Sequence, residues 1–104
     1  MAEVKIVHLA EADLEDIWDY IAANNVESAK RIIRDLIQKF QMLAENPQIG
    51  RAHDEFVLNL RSFAYKKYII FYFPIENGVE IYRVIHGARN IEDLFEDFFR
   101  GLES

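Results

Sequence analysis

The sequence predicts an α+β fold: a helical hairpin packed on a small antiparallel-rich sheet, in the order β-α-α-β-β-β-α. Three observations carry this reading. Two amphipathic stripes of helical period follow one another between residues 11 and 44. A Glu76-Asn77-Gly78 turn lies between two apolar, β-rich runs, which marks a tight hairpin. A third helical stripe closes the chain, directly after the last predicted strand.

Glu3 to Leu9 reads as a short strand, because Val4, Ile6 and Val7 supply β-branched side chains. Glu11 to Ala23 reads as a helix in which Leu14, Ile17, Trp18 and Ile21 recur at i, i+3, i+4 and i+7. Trp18 lies on that stripe and is expected in the core. Glu11, Asp13, Glu15 and Asp16 crowd the first turns, where the positive end of the helix dipole favours carboxylates. Asn24-Asn25 is the expected stop, since Asn tolerates the left-handed conformation. The second helix spans Glu27 to Ala44, with Ala29, Ile32, Ile33, Leu36, Ile37, Phe40 and Leu43 on one stripe, and Pro47 and Gly50 end it. Helices joined by so few residues lie antiparallel and need a common partner surface.

Residues 51–58 read as a loop. Asn59 to Phe63, Lys66 to Pro74 and Val79 to Ile85 read as three strands. The near-continuous apolar run Tyr68–Phe73 predicts a central strand covered on both faces. Asn90 is placed to cap the last helix, with Asp93 in its first turn and Ile91, Leu94, Phe95, Phe98, Phe99 and Leu102 on its stripe.

At 104 residues the chain has the length of one domain, and residues 1–104 are read as such. A composition 51% hydrophobic and 13% aromatic fills a compact core. The absence of cysteine excludes disulfides, thiolate catalysis and Cys-based metal sites, and fits a reducing compartment. No apolar run approaches the ~20 residues of a transmembrane helix and no secretory h-region is present, so a soluble cytoplasmic domain is expected. A net charge of −6 argues against a broad, charge-driven grip on nucleic acid. Residues 51–89 nevertheless hold six basic and four acidic side chains, a local +2 against −8 for the rest.

The richest stretch for function is 83–95, where a strand ends in the polar corner His86-Gly87-Ala88-Arg89 and a helix follows. An acid/base paired with an anion clamp would use such a corner; a well-built turn with Arg89 in a structural ion pair would look the same. Arg61, Tyr65, Lys66, Lys67 and Tyr68 mix cations with rings, as a nucleic-acid-contacting strand does, or as a sheet edge carrying charged gatekeepers does. His8, His53 and His86 lack the spacing of metal ligands, and neither a metal nor another cofactor is expected. No Ser/His/Asp arrangement or phosphate-binding glycine loop is present.

The chain resembles the ParE branch of the RelE/ParE superfamily of type II toxin–antitoxin toxins. The resemblance runs from about Ala12 to Phe95. It rests on Ala12-Asp13-Leu14-Glu15-Asp16-Ile17-Trp18-Asp19-Tyr20-Ile21-Ala22, on Pro47-x-x-Gly50 and on Leu60-Arg61-Ser62-Phe63. Tyr68-Ile69-Ile70-Phe71-Tyr72 and Tyr82-Arg83-Val84-Ile85-His86-Gly87-Ala88-Arg89-Asn90 complete it. It implies a RelE/ParE-like fold and a toxin held inactive, as a hetero-oligomer, by a cognate ParD-like antitoxin. It further implies DNA gyrase as the target, with Arg83, His86, Arg89 and the final helix acting on it, and Arg61 and Tyr65 beside them. Leu14, Trp18, Ile21, Ile33, Ile37 and Phe40 on the first two helices, with an exposed sheet edge, would engage antitoxin.

RelE-type relatives instead cut mRNA in the ribosomal A site. On that alternative His86, Arg89 and Arg83 are the catalytic candidates. Phe95 stands near the position where those relatives keep an acid/base, and it cannot transfer a proton. This and the acidic balance favour the gyrase inhibitor, a non-enzyme, over the endoribonuclease. A non-toxic family member that only binds antitoxin is the third alternative.

Overall fold

A computed structural model describes residues 2–87. Within them the order is β1 (Glu3–Ile6), α1 (His8–Ala22), α2 (Val26–Glu45), β2 (Arg51–Ala52), β3 (Arg61–Tyr65), β4 (Tyr68–Ile75) and β5 (Gly78–His86). The predicted last helix, and with it Arg89, Asn90 and Phe95, lies outside the described residues. The strands form one five-stranded sheet in the order β1-β5-β4-β3-β2. β1 runs parallel to β5, and the other neighbours are antiparallel.

Several element ends differ from the sequence reading, each for a local reason. β1 stops at Ile6 and α1 begins at His8, so that Ala10 is a fully buried helical residue. Asn24 and Asn25 do not adopt a left-handed conformation. Asn25 is extended, with φ −158°, and its side chain accepts from the Ser28 N–H at 3.0 Å, so it caps the start of α2. The loop at 51–58 includes the two-residue strand β2. Asn59, expected in a strand, has φ 68° and its N–H donates to Asp54 Oδ1 at 2.8 Å. β3 therefore starts at Arg61, and Lys66, with φ 53°, belongs to the turn before β4.

The Asn-Gly hairpin forms, with its two residues in different roles. Asn77 takes the positive φ, 66°, while Gly78 is already the first residue of β5 and pairs with Ile75. Gly78 is needed because Glu3 of the neighbouring β1 approaches it closely: a Cβ there would collide with the Glu3 carbonyl oxygen. Pro74 is tolerated in β4 because β3 pairs with that strand only as far as Tyr72.

β4 is central and buried on both sides. Ile70 and Tyr72 join Leu36, Phe40 and Leu43 beneath the helices, whereas Phe71 joins Leu60 and Ile85 on the opposite face. A bulge inserts Tyr82, since Phe71 pairs with Arg83 and Tyr72 with Ile81. It shifts the in–out alternation by one residue. Val79 and Ile81 before it and Val84 after it share the helical face, and Tyr82 and Ile85 the other.

Candidate functional site

The surface of the described residues includes two depressions beside the helical hairpin. The larger is a cleft of about 670 Å³ where the helical hairpin parts from the end of the sheet. Its floor is apolar, from Ile17 and Ile21 of α1, Ile32 of α2 and Val84 of β5. Asp13, Asp16, Lys66, Lys67 and His86 also line it. Tyr20 and Tyr68 complete the lining, and Tyr20 is 81% exposed. Burial, with a smaller contribution from Tyr20, pushes the Tyr68 phenol above its ordinary pKa. The His86 ring stands edge-on to Tyr68, with centroids 5.9 Å apart. This volume lies within the range of small-ligand pockets, but the floor carries no convergent polar groups.

The second depression, about 360 Å³, is a shallow groove between α1 and α2, lined by Leu14, Glu15, Trp18, Asp19 and Ile33. Trp18 is half-buried here and is not part of the core cluster, contrary to expectation. Its stripe is broader than the sheet can cover, so its outer margin stays at the surface. Ile37, one turn beyond Ile33, is 44% exposed.

The predicted site residues therefore separate. His86 lies exposed at the cleft. Arg83 is turned to α1, where its Nε and Nη2 donate to Asp13 at 2.7 and 3.0 Å; the two side chains are only 15% and 12% exposed. Arg61 binds the turn after α2, donating to the Gly50 carbonyl at 2.6 Å and to Gln48 Oε1 at 2.6 Å. The Tyr65 hydroxyl donates to Asp35 Oδ2 at 2.8 Å. Arg89 lies outside the described residues. Of the six helix residues expected at an antitoxin interface, Leu14, Trp18 and Ile33 line the groove and Ile21 the cleft. Phe40 is corrected: it is completely buried between α2 and the sheet and cannot touch a partner.

Sequence reasoning missed Ile17, Ile32 and Tyr20 as cleft residues. Ile17 and Ile32 sit on the predicted stripes, and only the splay of helices from sheet leaves them accessible. His53 was also unexpected: it is 5% exposed, its Nε2 lies 2.6 Å from Ser62 Oγ, and its ring packs against Phe71. Burial, helped by Arg51, holds its pKa below the ordinary histidine value, against the opposing pull of Glu55 and Asp54.

A chain of the chromosomal ParDE TA system from P. aeruginosa superposes with a TM-score of 0.68 at 22% identity, covering 83% of this chain and 96% of that one. The two chains thus share one α+β fold. The model of the family described as ParE toxin of type II toxin-antitoxin system, parDE, matches residues 4–91, and the chain belongs to that family. Toxin ParE1 of Caulobacter vibrioides is 33% identical over 91 residues, which are 86% of this chain and 94% of that protein.

Proposed function

We propose that this chain, as a single cytoplasmic domain, inhibits DNA gyrase and blocks replication until a cognate ParD-like antitoxin covers it. The carrying observation is the disposition of the sheet cations. A metal-free ribonuclease needs cations gathered around a phosphate, with a proton donor beside them. Here Arg61 and Arg83 are committed to partners within the fold. The cleft that remains is lined by apolar side chains together with acidic and basic ones, which suits a protein segment. In this reading His86 and the end of β5, with Arg89, face gyrase. The groove at Leu14, Trp18 and Ile33, with the exposed Ile37 one turn beyond it and Ile21 at the cleft, faces antitoxin. Purified toxin is expected to inhibit supercoiling and to accumulate cleaved DNA in a gyrase assay; unchanged supercoiling at large toxin excess would refute the reading.

A second reading, the ribosome-dependent endoribonuclease, draws on His86 and Tyr68 sharing the cleft with Lys66 and Lys67. It predicts codon-phased mRNA cuts after induction that vanish in His86→Ala, and intact transcripts exclude it. A third, a non-toxic antitoxin-binding protein, predicts normal growth on expression alone.

A further inference from the structure

Charge is segregated between the two helices and the hairpin tip. α1 carries Glu11, Asp13, Glu15, Asp16 and Asp19 and no Lys or Arg, whereas α2 carries Lys30, Arg31, Arg34 and Lys39 against three acids. Lys39 of α2 and Lys66 of the β3–β4 turn meet at one ring, their ammonium groups 5.4 and 5.5 Å from the Tyr65 centroid. The ring is fixed from α2 itself, through the bond from its hydroxyl to Asp35. Lys67 follows at the tip, and Arg31 lies one turn before Asp35 on the same helix. Asp35 is the acid bonded to this group, and Asp16 lines the same cleft as Lys66 and Lys67.

Lys66 occupies this place against local preference. Its φ of 53° belongs to the left-handed region, where Asn or Gly is favoured, and the β4–β5 turn of this same chain uses Asn77 there. The hairpin tip thus carries a cation at a position where turn chemistry alone favours Asn or Gly.

We propose that the ridge Lys39–Tyr65–Lys66–Lys67 binds the phosphate backbone of nucleic acid. Lysines at a hairpin tip, converging on one fixed ring, suit a polymer of dense negative charge. An acidic protein partner would draw most of its affinity from apolar anchors in pockets, and the ring that these lysines share is capped by their own ammonium groups. The proposal goes beyond the gyrase reading and does not rest on it.

The test is fluorescence anisotropy of the full chain against three labelled polymers: a DNA duplex, a single-stranded RNA and a poly-glutamate peptide. Lys39→Gln with Lys66→Asn removes two charges and relaxes the turn. Lys5→Gln with Lys30→Gln removes two charges elsewhere. The wild-type protein is expected to bind nucleic acid at low salt, with affinity falling as salt rises; the ridge variant should lower the slope of log K against log[salt] by about 2 and weaken binding about tenfold. The control pair should retain the wild-type slope. Tighter binding of duplex or of RNA identifies the source of the phosphates. The proposal is overturned by absence of wild-type binding at low salt, by an equal loss in the control pair, or by preference for poly-glutamate.

Discussion

Asp13 accepts three hydrogen bonds from β5: two from the Arg83 guanidinium and one, at 2.9 Å, from the Val84 N–H. A single carboxylate on α1 thus fixes the strand that leads into His86. Asp13→Ala would remove the carboxylate that the nearly buried guanidinium binds and is expected to cost about 3–5 kcal/mol in urea unfolding. Arg83→Lys keeps the charge but loses the fork, and should cost distinctly less. A loss below 1 kcal/mol for Asp13→Ala, the scale of an exposed pair, would show that the contact is not a tie.

Tyr72 holds the turn after α2 in a comparable way. Its buried hydroxyl donates to the Pro47 carbonyl at 2.8 Å and accepts from the Gly50 N–H at 2.9 Å. Tyr72→Phe preserves the ring and strands both backbone groups, so a destabilisation of about 1–3 kcal/mol is expected in thermal or urea melts. A neutral result would mean that water replaces the hydroxyl.

His53 should make stability depend on pH. Its folded pKa lies below the ordinary 6.5, so between the two values the unfolded chain binds more protons than the folded one. Stability is then complete above about pH 6.5 and declines as pH falls toward the folded pKa, below which it levels off. Urea unfolding from pH 7.5 to 5 should show this decline, and His53→Gln should flatten it. Equal slopes in both proteins would assign the effect to carboxylates.

Trp18 and Phe40 should respond in opposite ways. Trp18→Ala is expected to weaken cognate antitoxin binding by about 2 kcal/mol or more in calorimetry while the melting temperature changes little. Phe40→Ala should cost about 3–5 kcal/mol of stability through its cavity, without a separate effect on binding by the folded fraction. Unchanged affinity in Trp18→Ala would move the antitoxin away from the α1–α2 groove.

Helical period and turn chemistry made the hairpin of helices, the central β4 and the Asn77 turn readable from the sequence, because each is encoded within a few neighbouring residues. The bulge at Tyr82 was not readable, since one inserted residue leaves the apolar run of β5 unbroken and changes only which face each side chain meets. The roles of Arg61 and Arg83 were hidden for a related reason. A cation on a strand looks available until the structure supplies a carboxylate or carbonyl distant in sequence. Only His86 among the described target-facing candidates remains at the surface of a cleft, and Lys39 entered the ridge through a ring on another element.

The parallel pairing of β1 with β5, made possible by the bare backbone of Gly78, has a kinetic consequence. The earliest strand of the chain finds its ladder partner only among the last described residues, Glu3 against Gly78 through Ile6 against Ile81. The α1–α2 hairpin and the β3–β4–β5 meander can each form from local contacts during synthesis, but the edge strand must wait for them. The sheet is therefore completed by a long-range step that follows its two local units.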